Sequence, residues 1–149
     1  MNFMRNLREG LSRIVKGSDE KRKEAIYAQG FDSPSRRASI DAAYDMAKSL
    51  DMSGDIKAAK TNPEAAGYVY FEVARNVHDA WCMRNDESFR DKSREDRRFQ
   101  FLSSEAIGWE EFKKDMEFAS AALESFGVPP FRHVEVSVKQ FYESRREDY

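Results

Sequence analysis

His78, Trp81 and Arg84 stand three residues apart and combine side chains that suit a planar, anionic small molecule. Because residues at this interval share one face of an α-helix, their imidazole, indole and guanidinium groups would line one groove. An indole stacks on planar rings, and a guanidinium binds a phosphate or carboxylate through two hydrogen bonds. The pattern predicts a site for a nucleotide-like ligand. It equally suits a structural helix with Trp81 in the core and Arg84 at the rim.

The same stretch does not support catalytic chemistry. His78 and Asp79 are adjacent, but a metal-dependent hydrolase needs further ligands, and the only other histidine is His133. Cys82 follows His78 by four residues, yet nothing in the sequence identifies an orienting group or oxyanion donors. We therefore expect no enzymatic activity, no metal and no cofactor. In the structural interpretation, His78 hydrogen-bonds to a carboxylate or carbonyl of a neighbouring helix.

A long amphipathic helix is predicted to carry these residues. It begins at Asn62-Pro63, a capping residue followed by proline, and ends near Asn85. Apolar residues recur along it at helical spacing: Ala66, Tyr70, Val73, Val77 and Trp81.

Shorter helices are predicted on both sides of it. On the N-terminal side they cover residues 18–29, 33–50 and 55–60. On the C-terminal side, one helix runs from a cap at Ser103-Ser104 to Ser125 and is stopped by a glycine and two prolines. Residues 129–149 fit a helix or a short strand. We favour the helix, because the remaining sequence offers no partner strand.

The composition favours one all-α domain, an irregular bundle of about five helices. The chain has 149 residues, enough for a core of its own, with only 7 glycines and 4 prolines. We predict an N-terminal helical extension (1–60) packed on a core unit (62–128), followed by a tail (129–149). The predicted core residues are Tyr44, Leu50, Tyr70, Val73, Val77, Trp81, Phe112, Met116 and Leu123.

Charge and cysteine content restrict the class of protein further. A net charge of -2 makes nucleic acid an unlikely partner. The single cysteine, Cys82, excludes an internal disulfide framework and favours a reducing compartment. No apolar run is long enough to span a membrane, and the N-terminus lacks the apolar core of a secretory signal. We expect a cytoplasmic protein.

Two segments are similar to a known family. Residues 74–81 read Ala-Arg-Asn-Val-His-Asp-Ala-Trp and are followed by Arg84. Residues 110–115 read Glu-Glu-Phe-Lys-Lys-Asp and precede an apolar stretch ending at Gly127. Together, over about residues 68–128, they resemble the ryanodine-receptor-type domain. The glycine- and tryptophan-containing stretch that follows the first helix in that family is replaced here by the charged segment 84–98.

The resemblance implies a compact helical module that is not an enzyme. In prokaryotes such modules are suspected of sensing nucleotide-like ligands in defence or signalling systems. The function predicted here is thus a ligand-binding or sensing module for a nucleotide-like small molecule. The candidate ligand-binding residues are His78, Trp81, Arg84, Tyr70 and Asp115.

Two other interpretations remain open. The chain would alternatively be a small helical interaction protein, such as an adaptor or an inhibitor from a mobile element. Its contacts would come from the basic amphipathic helix predicted over residues 3–16 or from C-terminal aromatic residues, namely Phe131, Phe141, Tyr142 and Tyr149. Separately, Arg36-Arg37-Ala38-Ser39 matches the preference of basophilic protein kinases, which makes Ser39 a possible phosphosite.

Overall fold

The computed structural model describes residues 17–85 and 108–147, and its regular structure there is entirely α-helical. The all-α prediction is confirmed. The helix predicted over residues 3–16, the charged segment after Asn85 and the cap at Ser103-Ser104 lie outside the described residues. The helices, in chain order, are α1 (17–27), α2 (Pro34–Met52), α3 (Asp55–Ala59), α4 (Pro63–Asn85), α5 (Trp109–Lys113), α6 (Met116–Glu124) and α7 (Phe131–Glu147).

Helices α2 and α4 begin at the predicted caps. The Ser33 hydroxyl accepts a hydrogen bond from the backbone N–H of Arg36 at 3.4 Å, just before the first turn of α2. The side-chain oxygen of Asn62 accepts one from the backbone N–H of Glu64 at 2.9 Å. In both helices proline occupies the first position, where a backbone N–H would have no helical partner. These local signals place the start of each helix.

The helix predicted to end at Ser125 is divided in two, so the expectation of one continuous helix is wrong. At the division, the N–H groups of Lys114 and Asp115 donate to carbonyls three residues earlier, at 3.2 and 3.0 Å. This tighter turn redirects the backbone between α5 and α6. Phe112 and Met116 are both buried on either side of it, which explains why the apolar spacing continued unbroken in the sequence.

Helix α4 lies at the centre of the bundle and contacts α2, α3, α5, α6 and α7. Its backbone comes close to that of α7, where a Cβ atom added to Gly67 would lie 2.8 Å from the carbonyl oxygen of Ser137. The glycine thus lets the two helices touch. On the α2 side, the Asn76 side chain donates a hydrogen bond to the carbonyl of Ala42 at 2.9 Å.

The apolar core is continuous from α2 to α7. All the predicted core residues are buried except Trp81, which is 53% exposed, so its placement in the core is wrong. Trp81 instead lines a cavity together with side chains of α2 and of the α5–α6 turn.

The C-terminal tail is a helix, as favoured from the sequence, and it closes the core. The Tyr142 ring stacks on Phe112 with centroids 5.1 Å apart, and Phe141 lies edge-on to Phe71 at 5.2 Å. These rings are therefore part of the core rather than a free aromatic surface.

Helix α1 packs on α2 through a second, smaller apolar cluster. Tyr44 of α2 donates a hydrogen bond to Asp19 at 2.7 Å, and Lys48 pairs with the same carboxylate. Both contacts lower the pKa of Asp19 below its usual value, and the one with Lys48 has the larger effect. The cluster consists of Ile26, Tyr27, Phe31, Ile40 and Tyr44, with Phe118, Ala121 and Phe126 packed against it.

Candidate functional site

A cavity of about 320 Å³ lies between the N-terminal half of α2, the last turns of α4 and the α5–α6 turn. Its volume is near the lower limit for small-molecule sites, so it suits one ring system with a small substituent. The lining residues are Ser35, Arg36, Ser39, His78, Trp81, Glu111, Lys114, Asp115 and Phe118.

A partly buried imidazole and a partly buried carboxyl group face each other in this cavity, with side chains that are 21% and 17% exposed. His78 Nδ1 of α4 lies 3.7 Å from Asp115 Oδ2 in the α5–α6 turn, which is ion-pair distance but beyond a good hydrogen bond. Burial lowers the pKa of His78. Burial also raises the pKa of Asp115 to about 7, and the nearby Glu111 charge contributes a smaller part of that rise. Both effects favour neutral forms. We therefore describe the pair as a neutral imidazole beside a half-protonated acid, not as a salt bridge.

The cationic side chains of the cavity are already paired with acidic ones. Arg36 Nη2 lies 2.6 Å from Glu117 Oε1, and Lys114 Nζ lies 3.1 Å from Glu111 Oε1. The Arg36 guanidinium also lies 4.9 Å and 5.4 Å from the ring centroids of Phe31 and Phe118. Its planar group is thus fixed between two rings and a carboxylate, which shapes one side of the cavity.

Ser39 adds a hydroxyl group to the wall of the cavity. The residue is only 6% exposed and its side chain lines the cavity. A serine hydroxyl can both donate and accept a hydrogen bond, so it can pair with a polar group of whatever occupies the cavity.

The structure brings together three of the five predicted site residues. His78, Trp81 and Asp115 all line the cavity. Arg84 is exposed near the end of α4 and does not line it. Tyr70 is fully buried elsewhere and donates a hydrogen bond to the carbonyl of Pro129 at 2.7 Å. The sequence could not separate these cases, because all five residues satisfied a helical spacing or a motif.

Sequence reasoning missed four lining residues, Ser35, Glu111, Lys114 and Phe118. Two of them, Glu111 and Lys114, belong to the segment quoted for the family resemblance, but nothing marked them as facing a ligand. Phe118 follows Asp115 by three residues, a spacing that would have signalled a shared face had the helix start been known.

The kinase-site interpretation of Ser39 conflicts with its surroundings. A kinase binds an extended and accessible peptide, whereas Ser39 is buried within α2. Arg36, from the same motif, is bound to Glu117 and to the carbonyl of Gly30. Both residues line the cavity.

Cys82, His78 and Asp115 form a line of thiol, imidazole and carboxyl groups. Cys82 Sγ lies 3.5 Å from His78 Nε2, on the opposite side of the ring from Asp115. A carboxyl group thus lies near the imidazole, but at 3.7 Å it is too far to orient the ring through a good hydrogen bond. In addition, the lowered pKa of His78, caused by burial, disfavours the imidazolium that a thiolate pair requires.

Other site classes find no support within the described ranges. No cluster of three or more His, Cys, Asp or Glu side chains there has the arrangement of a metal site. Among the same helices, none combines the length and the apolarity that a membrane span requires. Of the proposed partner-binding aromatic residues, Tyr142 is buried and Phe131 and Phe141 pack against the core, while Tyr149 and the 3–16 helix lie outside the described residues.

No family model, no curated protein and no solved structure matches this chain. The resemblance to the ryanodine-receptor-type domain therefore stays a prediction from the residues quoted above.

Proposed function

We propose that this protein is a non-enzymatic binding or sensing module that holds a small planar ligand in the cavity between α2, α4 and the α5–α6 turn. The observation that carries the proposal is Trp81, a large aromatic side chain that is 53% exposed at a cavity also lined by the His78–Asp115 pair. A concave, largely apolar site with a few convergent polar groups is the usual form of a ligand pocket.

The aromatic side chains favour a planar ligand. Trp81 of α4 and Phe118 of α6 both line the cavity, and together they offer ring surface for stacking. Of the polar lining residues, Ser39 is buried and Asp115 partly buried, so these two would orient a ligand more than attract it from a distance.

Binding is better supported than catalysis. Cys82 lies within α4, and helical backbone N–H groups at this depth are used in the helix itself, so they cannot form an oxyanion hole. The raised pKa of Asp115, caused first by burial, also means that the carboxyl group beside His78 is not fully charged at neutral pH.

The first experiment is a thermal-shift screen of the full chain against nucleobases, nucleosides, nucleotides and other planar aromatic compounds. A ligand at one hundred times its Kd adds about 2.7 kcal/mol to the free energy of unfolding. For a domain of this size, that is a rise in Tm of roughly 5–10 °C.

The variant Trp81→Ala should lose the shift while keeping the fold, because the indole is half exposed. Its matched control is Met52→Ala, another large apolar side chain that is exposed and does not line the cavity. A ligand that shifts the wild type and both variants equally would place binding elsewhere. A screen with no shift at all would refute the proposed function.

A further inference from the structure

We propose that the cavity takes an uncharged nitrogen heterocycle of the nucleobase class, held by one polar edge against Asp115 and Ser39, and that a phosphate group adds nothing to its binding. The inference rests on the proposed function and goes further, because it names the ligand class and removes the anionic group that the sequence pattern suggested.

Among the described residues, the charges around the cavity disfavour a phosphate subsite. Arg36 and Lys114 are the cations that line it in residues 17–85 and 108–147, and they are bound to Glu117 and Glu111 at 2.6 and 3.1 Å. Their charges therefore cancel within the protein. A phosphate monoester with nearly two negative charges would have to break one of these pairs and remain close to a carboxylate. Arg84, the anion-binding residue predicted from the sequence, does not line the cavity.

The polar groups that remain suit the edge of a heterocyclic base. A protonated carboxyl group offers an O–H donor beside a carbonyl acceptor. This pair complements the N–H and C=O of a lactam, and equally the ring nitrogen and amino group of an aminopyrimidine. Ser39 lines the same cavity, and its hydroxyl would supply one more hydrogen bond.

The surroundings of Asp115 keep its carboxyl group in the protonated form needed for this pairing. Within residues 17–85 and 108–147, the ionisable side chains that share the cavity with it are His78 on α4, Arg36 on α2, and Glu111 and Lys114 on α5 and the following turn. Burial is the main cause that raises the pKa of Asp115 to about 7, and the Glu111 charge adds to it. The acid is then half protonated at neutral pH, as in enzymes that keep a buried carboxylic acid as a donor.

Calorimetric titration of the full chain tests this inference with matched pairs of probes. Inosine and adenosine are compared with their 5′-monophosphates and with the forms methylated at the pairing edge, 1-methylinosine and N6,N6-dimethyladenosine. We expect at least one nucleoside to bind as tightly as its monophosphate, and edge methylation to weaken that binding at least tenfold.

Two variants test the named residues. Ser39→Ala should weaken binding about two- to tenfold through one lost hydrogen bond. Asp115→Asn keeps one donor and one acceptor, so it should bind within a few-fold of wild type. The wild type should bind about tenfold more weakly at pH 8 than at pH 6, as the protonated fraction of Asp115 falls, whereas Asp115→Asn should show no such change. Lys139→Gln, on the exposed side of α7, serves as the control.

The outcomes separate the two proposals. Binding of the monophosphates without the nucleosides would overturn this inference and leave the proposed function standing. Tight binding of the edge-methylated nucleosides, or the same pH dependence in Asp115→Asn, would also overturn it. If no nucleoside or nucleotide binds but another planar compound does so through Trp81, only the ligand class is refuted. If no planar compound binds, both proposals fail.

Discussion

Replacing Asp115 with asparagine should make the protein more stable at pH 8 and leave it nearly unchanged at pH 4. The carboxyl group has a pKa of about 7 in the folded protein, raised by burial from its ordinary 3.8. Between these two values the folded state keeps a proton that the unfolded chain has released. The free energy of unfolding of the wild type therefore falls as the pH rises from 4 to 7, and it is constant above that range.

The size of the effect follows from the two pKa values. A difference of about three pKa units at 1.36 kcal/mol each corresponds to about 4 kcal/mol at pH 8. This figure is an upper limit, because the side chain is 17% exposed and water reduces the penalty. Asparagine is neutral and similar in shape, and Asp115 makes no capping hydrogen bond that would be lost. The lowered pKa of His78, caused by burial, acts in the opposite direction but is present in both proteins.

Urea unfolding followed by circular dichroism at pH 4, 5, 6, 7 and 8 measures the difference. An exposed residue gives the matched control, since Asp51→Asn should change stability by less than about 0.5 kcal/mol at every pH. If Asp115→Asn destabilises the protein by the same amount at all five pH values, then Asp115 is not a buried, protonated acid, and the neutral description of the pair is wrong.

Further variants test the packing, each by urea unfolding. Gly67→Ala should destabilise the protein by about 1–2 kcal/mol, because the clash with α7 outweighs the gain in helix propensity; Gly17→Ala, in open space, should be neutral or stabilising. Tyr70→Phe should cost about 1–2 kcal/mol by leaving a buried carbonyl without its donor, while Tyr68→Phe should cost less. Trp81→Phe should change stability by less than about 1 kcal/mol, since its ring is half exposed.

These packing predictions have clear contrary results. A neutral Gly67→Ala would mean that α4 and α7 can separate without cost. Equal losses in both tyrosine variants would mean that the Tyr70 hydrogen bond contributes nothing specific. A large loss of unfolding free energy in Trp81→Phe would mean that Trp81 is packed in the core, and the main argument for a binding site would then fail.

The sequence predicted the fold better than the site, for a physical reason. Helix starts depend on local chemistry, and the caps at Ser33 and Asn62 could be read directly. Apolar spacing identified most of the core for the same reason. The division between α5 and α6 was not predicted, because buried residues on both sides of Asp115 keep the helical spacing of apolar residues through the turn.

The site depends on how distant helices meet, which spacing cannot reveal. His78 and Trp81 were predicted as neighbours on one helix face, and both line the cavity. Arg84 satisfied the same three-residue interval, yet it is exposed near the end of α4 and does not line the cavity. Ser39 was noticed only as part of a kinase motif, since nothing in the sequence shows that α2 packs beside the end of α4.

The contact between α4 and α7 also determines when the chain can fold during its synthesis. Residues 63–85 leave the ribosome well before Tyr142, whose ring covers Phe112, and before Phe141, which covers Phe71. Until α7 emerges, one apolar side of the central helix has no cover. A nascent chain with only residues up to about 130 outside the ribosome should thus be cleaved by proteases and bound by chaperones. Emergence of the next 17 residues, α7, should close it.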